Sequence, residues 1–280
     1  MSTMIRRVGI GMAAACLAAT GADVAQAQAI STDVECTDTL QGKRIKGDVT
    51  VPSGASCTLS GVQVVGNVTA AADTRLVVSE SKIRGDVVVN GLGAVNTPQP
   101  STAQLTDSII TGQLTQTSAT TVTVTGSRLS SVHSKGGIHT AHLTLENTEV
   151  NSDIVARHRS DVTVENSQVH GNLSTQGDTV VRSSDVDGAA VVDAYASRLC
   201  GSQFADLSVS TYYGATIGDG QACSGNDISG DLTFTETVIT LKLFGNKIDG
   251  NTNVDGTIRR AYGQDNVFGG QVPDQLAGLG

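Results

Sequence analysis

The stretch Val162-Thr163-Val164-Glu165-Asn166-Ser167-Gln168-Val169-His170-Gly171-Asn172-Leu173 returns in altered form about every twenty residues along the chain. Its core reads Ser/Thr/Asn-x-Ile/Val/Leu-x-Gly/Ser-Asp/Asn/Gln-Val/Leu/Ile, and a short alternating run such as Val-Thr-Val often precedes it. A fixed short period of this kind is typical of a solenoid, in which each structural unit stacks on the next.

The central apolar residue of each repeat marks the period. Most intervals between these residues are 17 to 21 residues long; the exceptions are a gap of 27 after Ile83 and gaps of 13 and 29 around Leu199. The predicted central residues are Ile45, Val64, Ile83, Ile110, Leu129, Val150, Val169, Val186, Leu199, Ile228, Ile248 and Phe268.

The composition of the repeats predicts strands. They are rich in Val, Thr, Ser, Asn and Gly, and their apolar residues alternate with polar ones. Period two and β-branched residues favour strands over helices, and one or two strands per repeat cannot bury a core alone. We therefore predict an all-β, single-domain parallel β-helix solenoid of about twelve rungs of roughly 20 residues, stacked about 4.8 Å apart. The recurring Gly is expected at a corner, followed by Asp or Asn residues that stack into hydrogen-bonded ladders.

Residues 1–29 have the three parts of a secretory signal peptide. They begin with a basic segment, continue with an apolar run of small residues, and finish with two overlapping Ala-x-Ala sites, which end at Ala27 and Ala29. The apolar run is too short to cross about 30 Å of hydrocarbon, which favours a cleaved signal over a membrane anchor. We expect the mature chain to be secreted, periplasmic or at the cell surface, with no transmembrane segment.

The mature chain is strongly acidic. Without Arg6, Arg7 and Asp23, 16 basic and 26 acidic residues remain of the total 18 and 27, a net charge of −10. This charge argues against nucleic acid as a partner.

Four cysteines remain after the signal, and an even number in an exported chain indicates disulfides over free thiols. Their separations of 21 and 23 residues are each close to one repeat, so that stacking would bring each pair within reach. The predicted pairs are Cys36–Cys57 and Cys200–Cys223.

Several segments depart from the repeat. The residues before the first full repeat are expected to cap it, because an uncovered end exposes unpaired strand edges. Two insertions within the stack are predicted as loops. The predicted boundaries are 1–29 for the signal peptide, 30–43 for the N-terminal cap, 44–272 for the β-helix with loops at 90–104 and 205–222, and 273–280 for the C-terminal tail.

The repeat from Arg44 to Val272 resembles the parallel β-helix proteins, particularly the right-handed pectin-lyase-like class. It is also similar to the shorter repeats of bactofilins, which share the apolar-x-Gly-Asp/Asn-apolar corner; those proteins are cytoplasmic, so the predicted export signal departs from them. The resemblance implies a right-handed helix. It covers nearly the whole mature chain and specifies an architecture but no activity.

Aromatic residues supply the first candidate site. All eight follow Ala194, and aromatic rings offer large rigid surfaces for contact with a ligand such as a sugar. Tyr212 and Tyr213, on the predicted loop closed by the second disulfide, are the predicted ligand-binding pair. The four phenylalanines are instead expected to fill a wider core in the C-terminal turns.

Asp185 and Asp187, beside Arg182, supply the second candidate site. They resemble the calcium-and-arginine sites of β-helix polysaccharide lyases, and calcium needs six to eight oxygen ligands from adjacent turns. The resemblance implies that these carboxylates bind a ligand, with calcium as the cofactor if the protein acts on polysaccharides. No catalytic residue and no other cofactor or metal is predicted.

All five histidines lie between His133 and His170. They could mark a metal or acid/base patch. Their positions within the repeat disagree, however, and separate surface histidines are the favoured interpretation. His133 stands where an aliphatic residue is expected and follows Val132, which indicates a slip of one residue in this repeat.

Two functions remain open at this point. The favoured one is an exported, non-catalytic structural or adhesive rod that contacts a cell-surface polysaccharide or another surface protein and joins end to end with further copies. The alternative is a polysaccharide-binding or polysaccharide-degrading protein of pectin-lyase-like type, which as an enzyme would be a polysaccharide lyase or a glycoside hydrolase.

Overall fold

Alternation of apolar and polar residues turns every second side chain inward, and the chain winds into a parallel β-helix of about twelve turns. The structure, a computed structural model, describes residues 29–30, 32–91 and 100–280. The predicted fold class and the resemblance to right-handed β-helix proteins are confirmed. The predicted signal peptide lies outside the described residues except for Ala29.

Each turn contributes to three parallel sheets, here called faces A, B and C in chain order. The strands of face A are Ala29–Ile30, Arg44–Ile45, Gln63–Val64, Lys82–Ile83, Glu149–Val150, Gln168–Val169, Asp227–Ile228, Lys247–Ile248 and Val267–Phe268. The strands of face B are Val34–Glu35, Val49–Val51, Val68–Ala70, Val87–Val89, Ile154–Arg157, Leu173–Gln176, Leu232–Phe234 and Thr252–Val254. The strands of face C are Thr39–Gln41, Ser56–Ser60, Arg75–Ser79, Ser101–Thr106, Thr120–Thr125, Ala141–Glu146, Ser160–Glu165, Thr179–Arg182, Thr240–Phe244 and Ala261–Gln264.

Four strands bend around corners and serve more than one face. They are Ile109–Thr117 and Arg128–Lys135, which run from face A to face B, and Asp185–Cys200 and Gln203–Ile217, which serve all three faces. Thr237–Val238 and Thr257–Ile258 form a separate two-stranded sheet, and a 3-10 helix covers Ala277–Leu279.

The interior is a single narrow aliphatic column. Val78 of face C, Ile83 of face A and Val87 of face B are all 0 % exposed and meet inside one turn. Burial of each such side chain stabilises the stack by about 1.5–3 kcal/mol. Phe204 and Phe234 are buried in the C-terminal turns, as predicted, whereas Phe268 is only partly buried against the core and Phe244 lies outside it.

The recurring Gly lies at the corner between faces A and B, but the physical reason differs from the predicted one. A Cβ atom on Gly85 would lie 2.5 Å from the Gly66 carbonyl oxygen of the turn below. The backbone φ angle is not positive there, so glycine is needed for close approach of successive turns.

The predicted ladder follows this Gly. Asn67 donates its backbone N–H to Asp48 Oδ1 at 2.7 Å, and Asp86 donates its own to Asn67 Oδ1 at 2.8 Å. The same bond recurs along the stack, for example between Asn251 N–H and Asp231 Oδ1 at 2.6 Å. These side chains satisfy backbone donors that the corner removes from the sheets.

A second, buried ladder lies at the corner between faces C and A. Ser167 Oγ accepts the Thr148 N–H, Ser184 Oγ accepts the Ser167 N–H, and asparagines replace the serines in the last turns. The residue before each ladder position commonly has a positive φ, as at Asn166 with φ 49°. Asparagine tolerates this conformation better than most residues because of its short polar side chain.

The prediction that Leu199 is a central residue of face A is wrong. Phe204 occupies that position, between Val186 and Ile228, whereas Leu199 lies on face C and pairs with Val181. The turns here are irregular because residues are inserted at two bulges. The predicted slip at His133 is confirmed, since Val132 pairs with Leu114 and is buried.

Both predicted loops are shorter than expected. Residues 205–217 belong to the strand Gln203–Ile217, because Leu207 and Val209 point inward and the strand is paired on both edges. Only residues 218–226 leave the sheets in this turn. Residues 101–104 likewise belong to the strand Ser101–Thr106, and residues 92–99 lie outside the described residues.

The predicted N-terminal cap is a further turn of the solenoid. Ala29–Ile30, Val34–Glu35 and Thr39–Gln41 pair in register with the three faces of the next turn. The residues that precede Arg44 therefore cover the next turn as a turn of the same kind. At the other end, Leu276 of the tail is fully buried, so that the tail closes the stack.

Both predicted disulfides are present and join successive turns. Cys36 bonds Cys57, and Cys200 bonds Cys223, with Cα atoms 5.5 and 4.8 Å apart. The second bridge holds the short loop after Ile217. Within that loop, hydrogen bonds from the N–H groups of Cys223 and Gln221 hold the pKa of Asp219 below its usual value.

Candidate functional site

Tyr212 and Tyr213 lie in a β-bulge. Ala194 pairs with Thr211 and Ala196 pairs with Gly214, so that two residues of the later strand stand opposite Tyr195 alone. A bulge bends the strand and redirects side chains, and bulges often occur beside binding sites. Here the bulge directs two neighbouring tyrosines outward at the corner between faces B and C.

The bulge gathers three tyrosines into one cluster. The Tyr212 and Tyr213 rings meet edge to face with centroids 5.0 Å apart, and the Tyr195 and Tyr213 rings lie 6.0 Å apart at 31°. All three side chains remain exposed, by 55 to 64 %. Large aromatic rings held against one another in water form a rigid, amphipathic contact surface.

An open groove of about 620 Å³ runs beside Tyr195 and Tyr212. Its charged lining residues are Arg159, Asp161, Asp178, Asp193 and Glu236. A second depression of about 470 Å³ lies on the face C side of Tyr213 and includes Arg198 and Lys242. We call the two depressions and the three tyrosines the tyrosine groove.

The carboxylates on the groove wall are held by the backbone of neighbouring turns. Asp178 donates its N–H to Asp161 Oδ1 at 3.1 Å, and Ala196 donates its N–H to Asp178 Oδ1 at 3.1 Å. Burial raises the pKa of Asp161, against the opposing effects of the Asp178 N–H and of His142, whose Nδ1 lies 3.3 Å from Asp161 Oδ2. The negative charge of Asp178 adds to the rise.

Asp185 and Asp187 lie elsewhere, on face A. Asp187 Oδ2 is 2.7 Å from His170 Nδ1, and His170 Nε2 is 3.6 Å from Glu149 Oε1. Both aspartates line a shallow depression of about 380 Å³ that also includes Asp227 and Lys247. The two predicted pairs therefore belong to different sides of the helix.

The hydrogen bond to Asp187 raises the pKa of His170, and the charges of Asp187 and Glu149 add to this effect. Within the described part of the chain, no three His, Cys, Asp or Glu side chains are arranged to hold a metal ion. Calcium at Asp185 and Asp187 stays a prediction of the resemblance.

The histidines occupy different faces. His133 points outward on face B, His142 lies on face C beside Asp161, and His170 lies on face A beside Asp187. His158 occupies a turn with a φ of 55°. Their positions in the repeat indicated this separation.

The remaining groove residues were not predicted from the sequence. Tyr195 lies one turn before the tyrosine pair, and Asp161 and Asp178 lie in consecutive turns at the start of face C. The separation of 17 residues between these two aspartates is a usable signal. It becomes informative only when the register around the bulge is known.

No protein-family model, no curated protein and no solved structure matches the chain. Among the described residues, no helix has the length and apolar character needed to cross a membrane. The geometry of the faces and of the groove is therefore the basis on which a function can be inferred.

Proposed function

We propose that the protein is an exported, non-catalytic adhesive rod that binds polysaccharide in the tyrosine groove. The convergence of Tyr195, Tyr212 and Tyr213 at one bulge carries this proposal. Stacked sugar rings and aromatic side chains suit each other because both present flat apolar surfaces with polar edges. The two disulfides support an oxidising compartment outside the cytoplasm.

The groove suits a chain-like ligand. It is open along its length, lies across several turns of a rigid stack, and combines aromatic with charged groups. Binding sites of this kind need little rearrangement, because the strands on both sides fix the lining residues.

Binding to a panel of immobilised cell-surface and plant polysaccharides tests the proposal. We expect Tyr195→Ala, Tyr212→Ala and Tyr213→Ala each to weaken binding roughly ten-fold, equivalent to about 1.4 kcal/mol. Tyr262→Ala is the matched control, since Tyr262 is 53 % exposed on face C and lies outside the residues that line the groove. Binding that survives all three substitutions, or that Tyr262→Ala weakens equally, contradicts the proposal.

A second candidate function is polysaccharide cleavage in the same groove. The raised pKa of Asp161 beside Asp178 favours it, because glycoside hydrolases pair a protonated acid with a nearby carboxylate. Release of reducing ends, or of unsaturated product from uronate polymers with and without calcium, would establish the enzyme. Activity that Asp161→Asn removes while binding remains would replace the non-catalytic proposal.

A further inference from the structure

Face A carries an asymmetric pattern of charge along the rod. Each turn presents two outward positions there, one at the first strand residue and one two residues later. In the turns from Arg44 to Ser130, these ten positions hold five basic residues and no acidic one. The basic residues are Arg44, Lys46, Lys82, Arg84 and Arg128, all exposed.

The other half of face A has the opposite sign. The twelve outward positions from Glu149 to Asp249 hold five acidic residues, one lysine, Lys247, and one histidine, His170, which lies between Asp187 and Glu149. The acidic residues are Glu149, Asp185, Asp187, Asp227 and Asp249. Lys247 is already paired within the chain, since its Nζ lies 2.7 Å from Asp249 Oδ2.

The flanking corners do not remove this asymmetry. The carboxylates at the corner toward face B occur in both halves, for example at Asp48 and Asp231, and their oxygens accept backbone N–H groups. Exposed apolar side chains interrupt the basic half of face A, with Val65 at 36 % and Ile109 at 42 % exposure. The face thus combines separated charge with accessible apolar surface.

We propose that face A is a self-association surface on which two copies of this chain pack side by side in antiparallel directions. A two-fold axis across the face sets the basic half of each copy against the acidic half of the other. Because such a contact is isologous, the basic half and the acidic half of each copy both meet opposite charge. Parallel packing would set like charges together and is disfavoured.

The spacing of the charges fits one register. Two turns separate Arg44 from Lys82, and two turns separate Asp185 from Asp227. When Lys82 and Arg84 of one copy face Asp185 and Asp187 of the other, Arg44 therefore faces Asp227. The same axis sets the Arg128–Glu149 pair, joined within each chain by a hydrogen bond from Arg128 Nε to Glu149 Oε2 at 2.9 Å, against its equivalent in the second copy.

The dimensions indicate a reversible contact. Eleven turns at about 4.8 Å make a face roughly 50 Å long, and two outward positions per turn make it about 12–15 Å wide. Each copy would bury roughly 600–750 Å², at the low end for specific interfaces. Attraction between exposed charges is screened by salt, so this dimer is expected to dissociate as ionic strength rises.

Sedimentation equilibrium of the purified protein at about 30 mM and 500 mM salt tests the proposal. We expect a dimer at low salt and a monomer at high salt. K82E/R84E and D185K/D187K should each abolish the dimer, since each sets like charges opposite one another. K135E/R157E is the matched control, because these two basic residues lie one turn apart on face B.

Mixing the two reversed variants gives the decisive measurement. In the mixed pair, the new glutamates face the new lysines and the native lysine and arginine face the native aspartates, so the heterodimer should form at low salt. A structural defect in either variant would not be repaired by mixing. A monomer at low salt for the unmodified protein, or no association in the mixture, would overturn the proposal whatever the tyrosine groove binds.

Discussion

His170 lies between two carboxylates on face A, with Nδ1 2.7 Å from Asp187 and Nε2 3.6 Å from Glu149. The hydrogen bond to Asp187 holds the pKa of this imidazole above 6.5, its ordinary value. Because the folded-state pKa is raised, the stabilisation from these contacts is complete below the unfolded-state pKa. It is lost as the pH rises through the folded-state pKa.

NMR titration of the histidine ring protons measures this pKa directly. We expect Asp187→Asn to lower the pKa of His170 clearly, and Glu149→Gln to lower it less, since Asp187 is closer and supplies the larger effect. The same titration in urea provides the unfolded reference. A pKa of His170 that stays the same in Asp187→Asn would contradict this account.

Substitution of Gly85 tests whether glycine is needed at this corner for the close approach of successive turns. A Cβ at this position would lie 2.4 Å from Asn67 Oδ1 and 2.5 Å from the Gly66 carbonyl oxygen. Both atoms are held in the corner ladder, so Gly85→Ala is expected to destabilise the fold by about 1–3 kcal/mol. A lowered midpoint of urea unfolding is the measurement.

Gly61→Asn is the control for Gly85→Ala. Gly61 has a φ of 60° with open space around its Cα, and asparagines occupy the equivalent position at Asn147 and Asn166 with φ of 49°. We expect a change within about 0.5 kcal/mol. A Gly85→Ala substitution that destabilises the fold no more than Gly61→Asn would contradict the explanation of the corner glycine by close approach of successive turns.

At the scale of the strands, regular turns could be predicted and irregular ones could not. The inward columns, the corner ladder and both disulfides follow from the twenty-residue period, since stacking converts equal spacing into contact. The bulges at Asp187 and Tyr212 change the number of residues in a turn and interrupt the alternation locally. The repeat core favours Leu199 over Phe204, because Ser197-Arg198-Leu199-Cys200-Gly201 matches it and Phe204 stands where it has Ile, Val or Leu, although Phe204 lies 18 residues after Val186.

The irregular turns also limited how much of the tyrosine groove could be predicted from the sequence. Tyr212 and Tyr213 could be singled out because exposed paired tyrosines are uncommon in a chain with 3 % aromatic residues. Their loop was predicted wrongly, because the adjacent pair breaks the alternation that marks a strand. Asp161 and Asp178 lie together because their turns pair in one particular register. Around the bulge, the sequence does not specify that register.

The buried serine ladder is the element that joins face C to face A. Ser167 Oγ donates to the Glu165 carbonyl at 2.7 Å and accepts the Thr148 N–H at 3.1 Å. Ser167→Ala leaves that buried N–H without its acceptor, which costs about 1–3 kcal/mol. We expect a corresponding loss in the free energy of urea unfolding.

Ser167→Thr is the matched variant, since Thr148 occupies the same ladder position one turn earlier and keeps a hydroxyl. It should retain most of the stability that Ser167→Ala loses. If both substitutions cost the same, the loss reflects packing at this corner and not the hydrogen bond.

At the scale of the whole molecule, each turn contacts only its neighbours, so the stack resembles a one-dimensional array. Leu276 from the tail closes the C-terminal end and is fully buried, and Asn266 donates to the Leu279 carbonyl at 2.6 Å. Leu276→Ala removes about 2–5 kcal/mol of packing at that end. Because the tail packs on the last turns, the loss is expected to act on those turns first.

Hydrogen exchange resolved by peptide can locate this loss. We expect residues 247–268 to exchange faster in Leu276→Ala while residues 141–169 keep their protection, since local opening in a stack need not spread through every turn. Val267→Ala is the control, because Val267 lies in the last turn and is 62 % exposed. Equal acceleration along the whole chain would show that the turns unfold as one cooperative unit. In that case distant turns, including those that carry the tyrosine groove and face A, are coupled.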